Sequence, residues 1–413
     1  MSFRHIAALV FFLSVTSQTF GFEVSATIRK IDTDKSVAVV FANGQQRTVA
    51  IAGDVKTLGE NGEALPDGLR ADAFKEGAEV TLSVERIGNV PTIVAIRLGS
   101  LANSISRPNG RSAISVGKSS VGFKPLTEMT ADDRYKGEDG GLYGGGRNEP
   151  PEPLRADAMK ATANIQPLDA DGHPAKDGKI GLVSISMSNA TQEFSRFKQL
   201  ADADPEKSAR VTIVDCAQGG QTMARWADPQ APCWTEADRR LEAHGVSRQQ
   251  VQVAWIKLAN AGPTGELHEH GKQLERDTRK VLANLVTHFP NLRIAYLGSR
   301  IYGGWADGRL NPEPYAYEGA FVVRWLIQSQ MQSDPDLNFD PQEGEVKSPL
   351  LLWGPYFWAD GTTPRKSDGL VWQRSDLVGD GTHPSDTGRQ KVAEQLLRFF
   401  KNDPYTQQWF VRH

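Results

Sequence analysis

The chain has 413 residues, 47 basic against 50 acidic side chains and a formal net charge of −3. That length allows two or three domains, and so balanced a charge offers none of the basic field that nucleic acid selects. Two cysteines in the whole chain exclude a disulfide-dense scaffold.

Residues 1–21 read as a signal peptide. Arg4 and His5 form a short polar start, residues 6–15 are apolar, and Thr19-Phe20-Gly21 offers small residues for cleavage. The apolar run is too short to cross a bilayer, and no later run is long enough either. An uncleaved anchor is the alternative. The expectation is a soluble mature protein, secreted or periplasmic, with no membrane span. In an oxidising compartment Cys216 and Cys233 are expected to close one loop as a disulfide, against the plainer reading of two buried thiols.

Residues 22–100 read as a small all-β module. Positions 25–31 alternate, 37–51 form two arms around Asn43-Gly44, and 80–98 repeat the device at Gly88-Asn89. A short helix is possible near 70–74. Several short strands without a long helix suggest a small barrel or sandwich. It carries no aromatic ladder or basic stripe, so an attachment or structural role suits it better than nucleic-acid binding.

Residues 101–153 turn to Ser, Gly, Pro and charge, and read as a linker plus an ordered arm over the next domain. The run Gly140-Gly141-Leu142-Tyr143-Gly144-Gly145-Gly146 lacks the Lys-Ser/Thr and the preceding strand of a phosphate loop. The remainder, 154–413, is expected to form the second domain. Strands are expected at 180–187, 210–215, 251–258, 292–297 and 349–353. Helices are expected at 192–200, 269–288, 317–329 and 386–400. Short apolar strands between amphipathic helices imply an α/β fold: a doubly wound parallel five-stranded sheet covered on both faces. Sites in such sheets lie at the carboxyl ends of the strands.

Those ends carry chemistry. Gly379-Asp380-Gly381-Thr382-His383-Pro384-Ser385 places a carboxylate three residues before an imidazole on a turn that opens a helix. A general base needs that pairing, although Asp-Gly and His-Pro are also ordinary turn residues. Ser186-Met187-Ser188-Asn189 ends the first strand, where a helix start offers N–H groups to a developing oxyanion. The plain alternative for Ser188 is an N-cap. After the second strand, Gly219 and Gly220 allow close backbone approach, or merely a tight turn. After the third, Asn260 can donate its amide to an oxyanion or hold its own loop.

Ser, Gly, Asn and Asp-x-x-His in that order resemble the four motif blocks of the SGNH (GDSL-like) hydrolase superfamily, over residues 179–400. The resemblance implies a three-layer sandwich, Ser188 as nucleophile, His383 as general base and acid, and Asp380 as the residue orienting the ring. It also implies an oxyanion site made of the Ser188 N–H, a glycine N–H and Asn260, with Gly220 preferred over Gly219. Two blocks depart from the pattern. Gly-Asp-Ser is here Ser186-Met187-Ser188, and Gly-x-Asn-Asp is Leu258-Ala259-Asn260-Ala261.

No cofactor or metal is implied. His268-Glu269-His270 with Glu266 is a conceivable cation cluster, but lacks the His-Glu-x-x-His spacing. Trp226, Trp234, Tyr302, Trp305, Trp358 and Trp372 fall near strand ends. They form either a stacking platform for sugar or the packing of their own loops. The resulting expectation is an exported serine esterase removing short O-acyl groups, O-acetyl above all, from carbohydrate. A lipid or thioester hydrolase, and a non-catalytic glycan-binding protein on the same scaffold, are the other classes in play.

Overall fold

The computed structural model describes residues 22–42, 45–59, 63–87, 90–98 and 118–412, in two compact units that divide between residues 112 and 113. The expected signal segment, the hairpin tips Asn43-Gly44 and Gly88-Asn89, and residues 99–117 lie outside the described residues.

In the first unit, β1 (Phe22–Asp32), β2 (Val37–Ala42), β3 (Gln45–Leu58), β4 (Glu79–Ile87) and β5 (Val90–Leu98) close into a barrel. The order is β1-β2-β3-β5-β4, and only the β3–β5 pair is parallel. Alternation does the sorting: Ala26 and Ile28, Ala38 and Val40, and Val80, Leu82 and Val84 point inward and are buried. Closure leaves no open sheet edge. The short helix considered near 70–74 is a pair of 3-10 turns, Gly68–Arg70 and Asp72–Phe74, whose Phe74 joins the barrel core.

The second unit is built on five parallel strands: β6 (Ile180–Ile185), β7 (Val211–Asp215), β8 (Val251–Lys257), β9 (Ile294–Gly298) and β10 (Leu350–Trp353). Their order is β10-β9-β8-β6-β7. Every residue of β6, β8, β9 and β10 is buried, as a sheet covered on both faces requires. The helices are α1 (Glu152–Ala163), α2 (Ser188–Ala203), α3 (Met223–Trp226), α4 (Pro232–Ala243), α5 (Leu267–His288), α6 (Tyr315–Met331), α7 (Asp386–Asn402) and α8 (Gln407–Phe410). Helix α2 packs on α7, and α5 on α6. β7 and β8 lie on opposite sides of β6, so the loops leaving β6 and β8 run apart at the carboxyl edge of the sheet.

Residues 118–150 are part of this unit's core. Leu126, Met129 and Tyr143 are buried in it. The Leu126 N–H donates to the Tyr356 hydroxyl (3.1 Å), and the Trp353 indole donates to the Leu142 carbonyl (2.7 Å). The glycine-rich run is a compact turn, held by Gly145 N–H on Asp139 (2.7 Å).

The expected disulfide is not formed. Cys216 and Cys233 are both free and buried. Cys216 Sγ lies 3.9 Å from the carbonyl of Ala237, a full helical turn past Cys233 in α4. Burial pushes both thiols up, Cys233 to about 11, so each behaves as a small apolar group.

Candidate active site

Strand β6 delivers Ser186-Met187-Ser188 to the carboxyl edge of the sheet. Met187 is the N-cap residue in extended conformation, and half-buried Ser188 is the first residue of α2. Ser188 Oγ lies 2.7 Å from His383 Nε2, and His383 Nδ1 lies 2.5 Å from Asp380 Oδ2. An ionised carboxylate only accepts, so the ring hydrogen sits on Nδ1. Nε2 is then free to accept from the Ser188 hydroxyl.

The turn that holds His383 is locally determined. Asp380 Oδ1 accepts from the Thr382 and His383 N–H groups, each at 2.9 Å, while Ser385 caps α7 immediately afterwards. Partial desolvation pushes the Asp380 carboxyl up. The bonds from His383 and the two backbone N–H groups outweigh it and hold the acid below its usual range. Asn189 ties this turn to the start of α2 through its amide on the Thr382 carbonyl (2.7 Å).

The other motif residues lie in the two flanking loops. A Cβ added to Gly219 would stand 4.0 Å from Ser188 Cβ, so the backbone at 219 borders the serine directly. Gly220 follows at φ +76°, the left-handed region where glycine carries no steric cost. Asn260 is held at both ends of its amide. Oδ1 accepts from the Ala224 N–H (2.9 Å), and Nδ2 donates to Asp277 Oδ2 (2.7 Å).

One loop, residues 303–311, bonds both to the loop of Asn260 and to the turn of Asp380. Asn311 donates to the Asn260 carbonyl (2.8 Å), and Asp307 N–H donates to the Asp380 carbonyl (3.1 Å). Gly381, at φ +63°, packs so tightly beneath this loop that a Cβ there would fall 1.6 Å from the Trp305 carbonyl oxygen.

Behind the serine lies a buried ion pair that the sequence did not announce. Lys257, the last residue of β8, meets both oxygens of Glu193 on α2 at 2.6 Å. Burial pushes the Lys257 ammonium down to about 8, against the pull of Glu193. Arg300, just after β9, is buried with its Nη1 3.7 Å from Met187 Sδ. The signal for Glu193 was a carboxylate on the apolar face of an amphipathic helix, beside Phe194 and Phe197. Asp277, between Leu274 and Val281, carries the same mark.

Of the two readings of the aromatics, the packing of their own loops is the one found for five of the six. Trp226, Trp234, Tyr302, Trp358 and Trp372 are at most 4% exposed, and only Trp305 keeps a partly open face. Their polar tips are spent inside the loops: Trp226 on the Ser186 carbonyl (3.2 Å), Trp358 on Glu313 (2.7 Å), Trp372 on the Phe357 carbonyl (2.8 Å). Long loops at this edge need an apolar filling of their own, and these rings supply it. The histidine cluster is likewise occupied. Glu269 caps α5, His270 is bonded to buried Glu318 (2.5 Å), and His268 stacks on Trp325.

No family model and no curated protein sequence matches the chain. Among solved structures it is similar to a candidate acylhydrolase from Bacteroides fragilis, at 12% identity over 61% of this chain and 97% of that one, with a TM-score of 0.32. It is also similar to the periplasmic domain of a lipopolysaccharide acetyltransferase from Salmonella ser. Paratyphi A, at 15% identity, 55% and 84% coverage and a TM-score of 0.29. A third likeness is to apo-CusF from Escherichia coli, at 12% identity over 22% of this chain and all of that one, with a TM-score of 0.16. At such values the likenesses assign no activity.

Proposed function

We propose that the second unit is a serine esterase of SGNH type on a doubly wound sheet. The observation that carries this is the continuous hydrogen-bonded line Ser188–His383–Asp380, with contacts of 2.7 and 2.5 Å. His383 Nε2 takes the Ser188 proton as Oγ attacks the ester carbonyl, and Asp380 stabilises the imidazolium that forms. The tetrahedral oxyanion is received by the Ser188 N–H, a backbone N–H of the Gly219-Gly220 pair, and the Asn260 amide. Collapse expels the alcohol, which leaves with the proton from His383. Water activated by the same imidazole then releases the acid and restores the serine.

We assign the substrate to short O-acyl esters, O-acetyl on carbohydrate first, met outside the cytoplasm after export. Support for a short acyl group comes from the filled floor: Met187, Met223 and Trp226 are all buried around the serine-bearing turn. Support for a sugar is narrower and rests on Trp305 alone, the one half-open ring of six. The test is turnover of acetyl against long-chain nitrophenyl esters and acetylated polysaccharides, by wild type and Ser188→Ala. The variant should lose on the order of a thousandfold or more in kcat while melting as wild type does. Retained turnover in Ser188→Ala would remove the nucleophile from this reading, and a preference for long chains would redirect it to lipid.

A further inference from the structure

We propose that Asp277 is a positioning residue for catalysis, acting through Asn260; the proposal rests on the esterase reading above. Asn260 Nδ2 carries two hydrogens. One is taken by Asp277 Oδ2 at 2.7 Å, and the other has no acceptor among the described residues. The Ala224 N–H on Oδ1 and the carboxylate on Nδ2 together fix the amide's plane and its sense, since a flipped amide would set N–H against N–H. The backbone is pinned as well: Asn311 donates to the Asn260 carbonyl at 2.8 Å, and the Met223 N–H to the Ala259 carbonyl at 3.1 Å.

Nothing nearer in the chain does this job. The next residue is Ala261, which has no acceptor in its side chain. The carboxylate comes instead from α5, seventeen residues on, where Asp277 is only 6% exposed on the helix's buried face. A buried acid with that location needs hydrogen-bond donors, and it has two: Asn260 and Gln273, the latter at 3.0 Å on Oδ1. A donor preset for an oxyanion contributes most when it has no freedom to rotate away before the charge develops. Asp277 removes that freedom.

Asp277→Ala is expected to lower kcat for a short nitrophenyl ester roughly tenfold or more with KM little changed, because the loss falls on transition-state geometry. Asn260→Ala should lower it on the order of a hundredfold. In the Asn260→Ala background, Asp277→Ala should then cost almost nothing further, as two residues of one unit are not additive. Asp277→Asn should recover most of the loss. Its carbonyl can face Asn260 while its amide faces Gln273, whose exposed side chain would turn to accept, giving up its Oε1 bond from Arg276 (2.7 Å) to water. If Asp277→Ala melts too low to assay, Asp277→Leu keeps the branched shape without an acceptor and gives the same readout. Additive losses in the double variant, an Asp277→Asn as damaged as Asp277→Ala, or an unchanged kcat would each overturn the proposal. Ser188→Ala separates the two levels. An active Ser188→Ala undoes the esterase reading itself, whereas an inactive one with an indifferent Asp277→Ala undoes only the positioning role.

Discussion

Asp380 is the most open member of the line, with 43% of its side chain exposed against 22% for His383. Its hold on the imidazole therefore comes from geometry, two backbone N–H groups fixing one oxygen while the other faces Nδ1. Asp380→Asn should keep the turn but present a donor to a donor, and lower turnover by hundreds-fold or more. A pH–rate profile on one short ester checks this. The variant should be slow across the whole profile, because the loss lies in how the ring is held. That Ser188, Asp380 and His383 would meet at one sheet edge was legible from four short segments taken in order, although each segment alone also reads as an ordinary cap or turn. Asp277, Glu193 and Asn189 were not: each acts on a partner brought near by tertiary folding, and a sequence shows only their local neighbours.

At the scale of elements, the five strands stand within two residues of where periodicity put them, because an apolar run between turn residues is a strong signal. Helices α3 and α8 are single turns, too short for any period to register, and α4 begins at Pro232 in a polar stretch. The loops were the harder matter, since an indole that packs a loop and one that stacks on a sugar have the same spacing. Loop 303–311 is anchored by Glu313, which accepts from Gly303 N–H (2.8 Å), the Trp358 indole (2.7 Å) and Tyr317 N–H (2.9 Å). Burial pushes this carboxyl up to about 7 from 4.5. Between those values the folded chain keeps a proton that the unfolded chain has released. Its contribution to stability is therefore complete below the lower value and lost as pH rises through the upper one, at most about 3 kcal/mol. Melting curves should show wild type losing ground to Glu313→Gln between about pH 5 and pH 8. Parallel curves would mean the carboxyl stays ionised throughout.

At the scale of the whole molecule, the described residues form two cores with no residue in common, one in the barrel and one in the α/β unit. Calorimetry should resolve two transitions rather than one. Ile93 is fully buried in the barrel core, so Ile93→Ala should weaken that transition by about 2–5 kcal/mol and leave both ester turnover and the other transition in place. A single merged transition would show the cores to be coupled. The tight seating of Gly381 under the Trp305 carbonyl bears on how the proposed esterase can change over generations. Loop 303–311 and the turn that carries the proposed base share one van der Waals boundary, so a mutation that reshapes the first displaces the second. New specificities in this lineage are then reached through slower intermediates, and insertions that widen substrate range should accumulate elsewhere along this edge of the sheet than between residues 303 and 311.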